Sequence, residues 1–202
     1  MKAAWMGALA AAGALVLGGS AFAEAPSGDY SKNPGFLGKV TLDAGLGTSG
    51  FTGSLGDKTN PGINWAVRGS YDATKNIGLE VGYLGANNQI DDTRLPIGRS
   101  ITTTALSGDL KLTAPLTAGS VTFKPYLFGG IGGAYYGVSG DTPLYQSDSD
   151  LQFPVGLGGD AFLTNNISVG ARLGWFLNIA NRIGDQAAGN QMNFTADVGV
   201  HY

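Results

Sequence analysis

Ile167-Ser168-Val169-Gly170-Ala171-Arg172-Leu173-Gly174-Trp175-Phe176-Leu177 is the stretch that decides the fold. Ile167, Val169, Ala171, Leu173, Trp175 and Leu177 share one parity; Ser168, Gly170, Arg172, Gly174 and Phe176 share the other. Successive residues of an extended strand point to opposite faces, so one face of this segment is wholly apolar. A helix would scatter the same residues around its axis.

The same alternation runs outward in both directions. Val40, Leu42, Ala44 and Leu46 oppose Thr41 and Asp43. Ile63, Trp65, Val67 and Tyr71 oppose Asn64, Arg68, Ser70 and Asp72. Ile77, Leu79, Val81 and Tyr83 oppose Gly78, Glu80, Gly82 and Leu84. Phe153, Val155, Leu157, Ala161 and Leu163 oppose Gln152, Gly156, Gly158 and Asp160. Met192, Phe194, Ala196, Val198, Val200 and Tyr202 oppose Asn193, Thr195, Asp197 and His201. Two segments are less regular: Thr102 to Leu112, with Leu106, Leu110 and Leu112 as its apolar row, and Val121 to Tyr136, with Val121, Phe123, Leu127, Ile131 and Tyr135 as the preferred outer row. Pro125 and Pro154 fall near strand starts, where a missing donor does least harm. The expectation is eight strands of about ten residues, the length at which a tilted strand crosses a bilayer.

The connections alternate in length. Thr74-Lys75-Asn76 and Thr164-Asn165-Asn166 are tight turns, and Thr113 to Ser120 is a slightly longer one. Thr48 to Gly62, Ala86 to Arg99, Gly137 to Asp150 and Asn178 to Asn190 are long and polar. In an up-and-down barrel every short turn then falls at one end and every long loop at the other, as in outer-membrane barrels. A soluble sandwich or lipocalin-like barrel has no need of that asymmetry, and it turns the apolar row of its strands inward. Three features favour outward here. The opposite row carries Asp43, Arg68, Glu80, Asp109, Lys111, Arg172 and Asp197. The apolar row carries Trp65, Tyr71, Tyr83 and Trp175, expected as membrane-interface aromatics. The N-terminus reads as an export signal.

That signal is Met1-Lys2, an apolar run from Ala3 to Gly19, and the small-x-small site Ala21-Phe22-Ala23. The expected organisation is a cleaved signal peptide over residues 1–23, a periplasmic segment over 24–35 and an outer-membrane barrel over 36–202. Composition agrees. Charged residues are 13% of the 202 residues, against about a quarter in a soluble domain, and the 34 glycines exceed twice the usual share of about 7%. The net charge of −3 and the lack of any basic run exclude a nucleic-acid binder. With no cysteine there is no disulfide, thiolate metal site or lipidated N-terminal Cys.

Lys124-Pro125-Tyr126-Leu127-Phe128-Gly129-Gly130-Ile131-Gly132-Gly133-Ala134, together with the final strand Asn193 to Tyr202, resembles the small outer-membrane β-barrel superfamily that includes OmpA-type transmembrane domains and OmpW-like proteins. The resemblance covers the whole mature chain. It implies that Phe194 and Tyr202 belong to a C-terminal signal read by the barrel-assembly machinery, with Tyr202 standing where the family usually has Phe. It also implies an outer-membrane location facing lipid and lipopolysaccharide. The chain stops at the last strand, so the peptidoglycan-binding domain of full-length OmpA proteins is expected to be missing.

For function, the first expectation is a monomeric structural or surface-interaction barrel with a polar plugged interior. Asp43, Arg68, Glu80, Arg172 and Asp197 would form its interior network, because buried charges must be paired. The alternative is a narrow pore or a transporter of small, possibly hydrophobic molecules, with room left by Gly78, Gly82, Gly156, Gly158, Gly170 and Gly174. A lipid-modifying enzyme is the third. It is disfavoured because the single histidine, His201, has no serine beside it in the last strand and lies at the periplasmic end. No catalytic residue, metal site or cofactor is expected. Asp91-Asp92 and Asp148-Ser149-Asp150 read as solvated loop acids.

Overall fold

The computed structural model describes residues 40–91, 99–118, 121–139, 147–179, 182–183, 186–187 and 189–202. The expected signal peptide and the segment 24–35 lie outside the described residues, as do Asp92 and parts of the outer connections and of the Thr113–Ser120 turn.

Eight long strands form the wall: β1 (Val40–Phe51), β2 (Gly62–Asp72), β3 (Ile77–Gln89), β4 (Ser100–Thr113), β5 (Val121–Val138), β6 (Asp148–Phe162), β7 (Ile167–Asn178) and β8 (Gln191–His201). Each is antiparallel to its sequence neighbour, and β8 returns to β1 with Thr41 opposite His201 and Phe51 opposite Gln191. The sheet is closed, so no edge is left to hydrogen-bond with anything but itself. The seam runs to the last residue: Tyr202 N–H donates to the Val40 carbonyl at 2.9 Å, and Val40 N–H donates to the Tyr202 carbonyl at 3.3 Å.

The parity of every strand is the expected one. Leu46, Ile63, Val81, Leu106, Leu127, Ile131, Leu157 and Val198 are exposed on the outside, while Arg68, Glu80, Arg172 and Asp197 are buried inside. The less regular segments obey the same rule. In β5, Phe123, Leu127, Ile131 and Tyr135 point out and Tyr126, Phe128, Ala134 and Tyr136 point in. On the outside, the Trp65 ring covers Gly85 of the neighbouring strand and the Phe123 ring covers Gly159, shielding backbone that glycine would leave bare.

Two expectations are corrected. The strands are longer than ten residues, up to 18 in β5, so much of what reads as outer loop is strand. Thr48 to Phe51, Ala86 to Gln89, Gly137, Val138, Asp148 to Asp150 and Asn178 all pair in the ladder. Their polar outward residues broke the apolar alternation because this part of the wall rises above the hydrocarbon. The outer connections also hold structure. A single helical turn, α1 (Gly53–Gly56), follows β1, and Arg182–Ile183 pairs with Gln186–Ala187 between β7 and β8. At the other end, Leu116–Ala118 folds back on Val121–Phe123 as a small hairpin extension.

The second correction concerns the interior, which is not polar throughout. Its upper part is an apolar cluster of Phe51, Leu84, Ala86, Ile101, Ala105, Ala134, Tyr136, Val138 and Phe176. Leu55, at the end of α1, drops into it and is fully buried. Gly53, at φ 71°, makes the left-handed turn that aims the helix inward. Thr59 Oγ1 then donates to the Leu55 carbonyl at 2.9 Å, and Asn60 N–H donates to the Gln89 carbonyl at 2.8 Å, tying the turn to β3.

Candidate functional site: the barrel interior

Below the apolar cluster the inward residues form an ion-paired layer. Arg172 is its centre. Its guanidinium donates to Glu80 at 2.5 Å and to Asp109 at 3.3 Å, and stacks 3.4 Å over the Phe128 ring. Lys111 reaches the second Glu80 oxygen at 3.2 Å and lies 4.2 Å over the Tyr126 ring. Arg68 pairs with Asp197 at 2.7 Å and donates to Thr195 at 3.0 Å. Both cations of the Glu80 pair are desolvated and stacked on aromatic faces, which is the arrangement in which a buried charge is tolerated.

Of the five residues expected in the network, Arg68, Glu80, Arg172 and Asp197 make these pairs. Asp43 points inward and is buried but makes no ion pair among the described residues. Asp109 and Lys111 join instead. Both were legible as inward charges, from their parity against Leu110 and Leu112; what the sequence lacks is the cross-barrel distance.

The inner glycines have a specific task. Five inward aspartates each face a glycine across the ladder: Asp43 with Gly199, Asp197 with Gly45, Asp109 with Gly130, Asp160 with Gly170 and Asp72 with Gly78. A β-carbon at any of these glycines would strike the aspartate's Oδ1. The carboxylate lies down over the neighbouring backbone because nothing projects there. An eight-stranded barrel is only just wide enough for its side chains. These glycines are therefore filled space rather than room for a ligand.

The lower rim is closed by Lys124 with Asp72 at 3.3 Å and by His201. His201 is buried between Thr41 Oγ1, 2.8 Å from Nδ1, and Ser168 Oγ, 2.8 Å from Nε2, with the Phe162 ring 4.6 Å away. The serine partner comes from β7, one strand over, so the last strand alone could not show it. Thr41, not a carboxylate, holds the second ring nitrogen, and Ser168 is itself buried.

At the top, Gln152 Nε2 donates to Tyr136 Oη at 2.6 Å and to Asn178 Oδ1 at 3.0 Å. Between the apolar and ionic layers lies a void of about 20 Å³ lined by Arg68, Leu84, Asp109, Arg172, Phe176 and Thr195. That is room for a single water, and ligand pockets are of the order of 300–1,000 Å³.

The remaining expected residues lie on the wall. Trp65 is near the top of β2, Trp175 near the top of β7, and Tyr71 at the bottom of β2, all outward. Tyr83 is outward but midway along β3. Phe194 faces out between Thr48 and Leu173, and Tyr202 is strongly exposed at the lower rim. Among the described residues no cluster of three or more His, Asp or Glu is arranged to hold a metal.

The sequence pattern of the family described as outer membrane protein beta-barrel domain matches residues 9–202. The fold is similar to Neisserial surface protein A, at 15% identity and TM-score 0.58, covering 82% of this chain and 97% of that one. It is similar to OprG from Pseudomonas aeruginosa, at 12% identity and TM-score 0.57, covering 82% and 96%. It is also similar to the N-terminal β-barrel domain of Pseudomonas aeruginosa OprF, at 11% identity and TM-score 0.52, covering 82% and 99%. Among curated proteins, no sequence matches the chain.

Proposed function

The chain belongs to the outer-membrane protein β-barrel domain family, and we propose that it acts as a sealed, monomeric barrel that presents its outer loops at the cell surface. One observation carries this reading: among the described residues the interior is filled at three levels, by the apolar cluster under Leu55, by the Arg172–Glu80–Lys111 layer and by the His201 rim, and the void between the first two is about 20 Å³. Recognition then belongs to the loops, which a rigid scaffold holds at one end. The name of one similar structure, the attachment invasion locus protein Ail of Yersinia pestis, fits a surface role of this kind (TM-score 0.50). In this proposal the leader 1–23 is cleaved on export, the barrel-assembly machinery reads Phe194 and Tyr202, and the wall contacts outer-membrane lipid and lipopolysaccharide. The barrel does no chemistry and holds no cofactor; the Ser168–His201 contact is a strand tie between two buried groups.

Single-channel recording in planar bilayers tests the seal. The sealed barrel gives no steady conductance. Sustained unitary currents from the folded protein would reject it in favour of the narrow pore, which needs Leu55 displaced and Arg172 parted from Glu80.

A further inference from the structure

The void between the apolar cluster and the ionic layer is lined so that one occupant fits. Its upper wall is apolar, from Leu84 and Phe176, and the rest is polar, from Arg68, Asp109, Arg172, Asn193 and Thr195. Apolar cavities stay dry, whereas polar ones that are large enough take up water. Two of these polar side chains carry an atom with no hydrogen-bond partner among the described residues. Asn193 accepts from Asn64 Nδ2 at 3.4 Å through Oδ1, but its own Nδ2 donates to no group. Asp109 accepts from Ser107 at 3.1 Å and from Arg172 at 3.3 Å, both through Oδ2, and its Oδ1 accepts from none. The two residues are 4% and 5% exposed, and atoms buried so deeply almost always have partners in folded proteins.

One of these atoms is a donor and the other an acceptor, so the missing partner must both accept and donate. Charge calls for no ion. Arg68, Lys111 and Arg172 stand against Glu80, Asp109 and Asp197, three charges of each sign, and each is ion-paired. A cation would meet two guanidinium groups in the wall, and an anion would meet Asp109. The room is about 20 Å³, against roughly 10–15 Å³ needed by one water molecule. Gly82 lines the same void and leaves part of that room. A β-carbon there would meet Arg68 Cγ and Ser107 Oγ at 3.5 Å, an ordinary contact. Packing against its neighbours therefore does not require glycine at position 82, in contrast to the five glycines that seat carboxylates.

We propose that the void is the binding site of one buried water molecule, which accepts from Asn193 Nδ2, donates to Asp109 Oδ1 and so joins the Asn64–Asn193 amide pair to the ionic layer. The water is held singly, with the apolar cluster above it and the Arg172–Glu80–Lys111 layer below. It is part of the plug rather than a step in a water path. This deepens the sealed-barrel reading and rests on it.

The test uses the full barrel, folded in detergent micelles with isotope-labelled asparagine amides and sequentially assigned. The Asn193 side-chain amide should show a nuclear Overhauser peak to water. Gly82→Ala puts a methyl group into the void. The peak should then vanish, although the hydroxyls of Ser107 and Thr195, which could relay it, remain. The same substitution should lower the folding equilibrium constant in vesicles about tenfold relative to Gly69→Ala, because two buried polar atoms lose their partner. Gly69→Ala sets the baseline, since Gly69 faces out with nothing within 4 Å of its β-carbon position. A dry void predicts the other sign: the methyl group fills empty space and brings the constant level with Gly69→Ala or above it. Absence of the peak in the unsubstituted barrel, its survival in Gly82→Ala, or a folding constant for Gly82→Ala at or above that of Gly69→Ala would overturn the proposal. Single-channel recording keeps the two readings apart. A non-conducting barrel that lacks the peak sinks the water site alone; steady unitary current sinks the seal and the single water with it.

Discussion

At the scale of residues, the wall is built from pairs in which one member is large and charged and the other has no side chain. The pairing of Asp197 with Gly45 shows why. Asp197 must lie flat over Gly45 to present Oδ1 to Arg68 at 2.7 Å. A methyl group at position 45 would lift the carboxylate and part the pair inside a closely filled lumen. Gly45→Ala is therefore expected to cost about 1–3 kcal/mol, the usual range for overpacking. Gly69→Ala, outward and unobstructed, should stay within about 0.5 kcal/mol of the parent. Urea unfolding in lipid vesicles, followed by tryptophan fluorescence, separates them; equal losses would mean that the inner glycines serve strand bending rather than as seats for carboxylates. The abundance of glycine was plain in the sequence. Which partner each one serves was not, because that depends on register.

At the scale of elements, the strands and α1 divide the work. The strands carry the charges at fixed heights, and α1 delivers one apolar side chain to the mouth. Leu55 is buried in a cluster contributed by β1, β3, β4, β5 and β7, so the cluster joins β1 and β7 to strands with which they do not pair. Truncation to Ala should cost about 2–5 kcal/mol, as for a buried core leucine, in the same unfolding measurement. A loss under about 0.5 kcal/mol would show that α1 rests on the barrel without sealing it. Nothing local marks Gly53-Ser54-Leu55-Gly56 as a plug. The segment is short, glycine-rich and set in a polar stretch, so by itself it reads as loop, and only its burial distinguishes it. The inward aromatics Phe51, Phe128 and Phe162 were hidden for a related reason. Apolar residues on both parities blur the alternation from which strands are read.

At the scale of the whole molecule, the outward apolar belt and the inward charges make one statement about medium. Leu157 lies in mid-belt, opposite Leu127 on one side and Leu173 on the other. In hydrocarbon, Leu157→Arg should destabilise the inserted barrel by about 2–4 kcal/mol. In water the same outward change would be nearly neutral, so a loss under about 0.5 kcal/mol in vesicles would contradict a lipid-facing wall. Closure adds the second global property. Eight strands with every backbone edge paired leave a lumen that side chains fill, and the proposed seal would follow from that filling rather than from any single residue.

Alternation in Ile167 to Leu177 and its seven counterparts, with short and long connections in turn, was enough to determine an eight-stranded antiparallel barrel and the facing of every strand. Side-chain direction in a strand is a local property with a period of two, so one sequence carries it. The partners of Arg172, the seat of each aspartate, the serine beside His201 and the seating of Leu55 were decided only by the tertiary structure. Each depends on which residues meet across the ladder or across the lumen, and register and closure fix that only when all eight strands are in place.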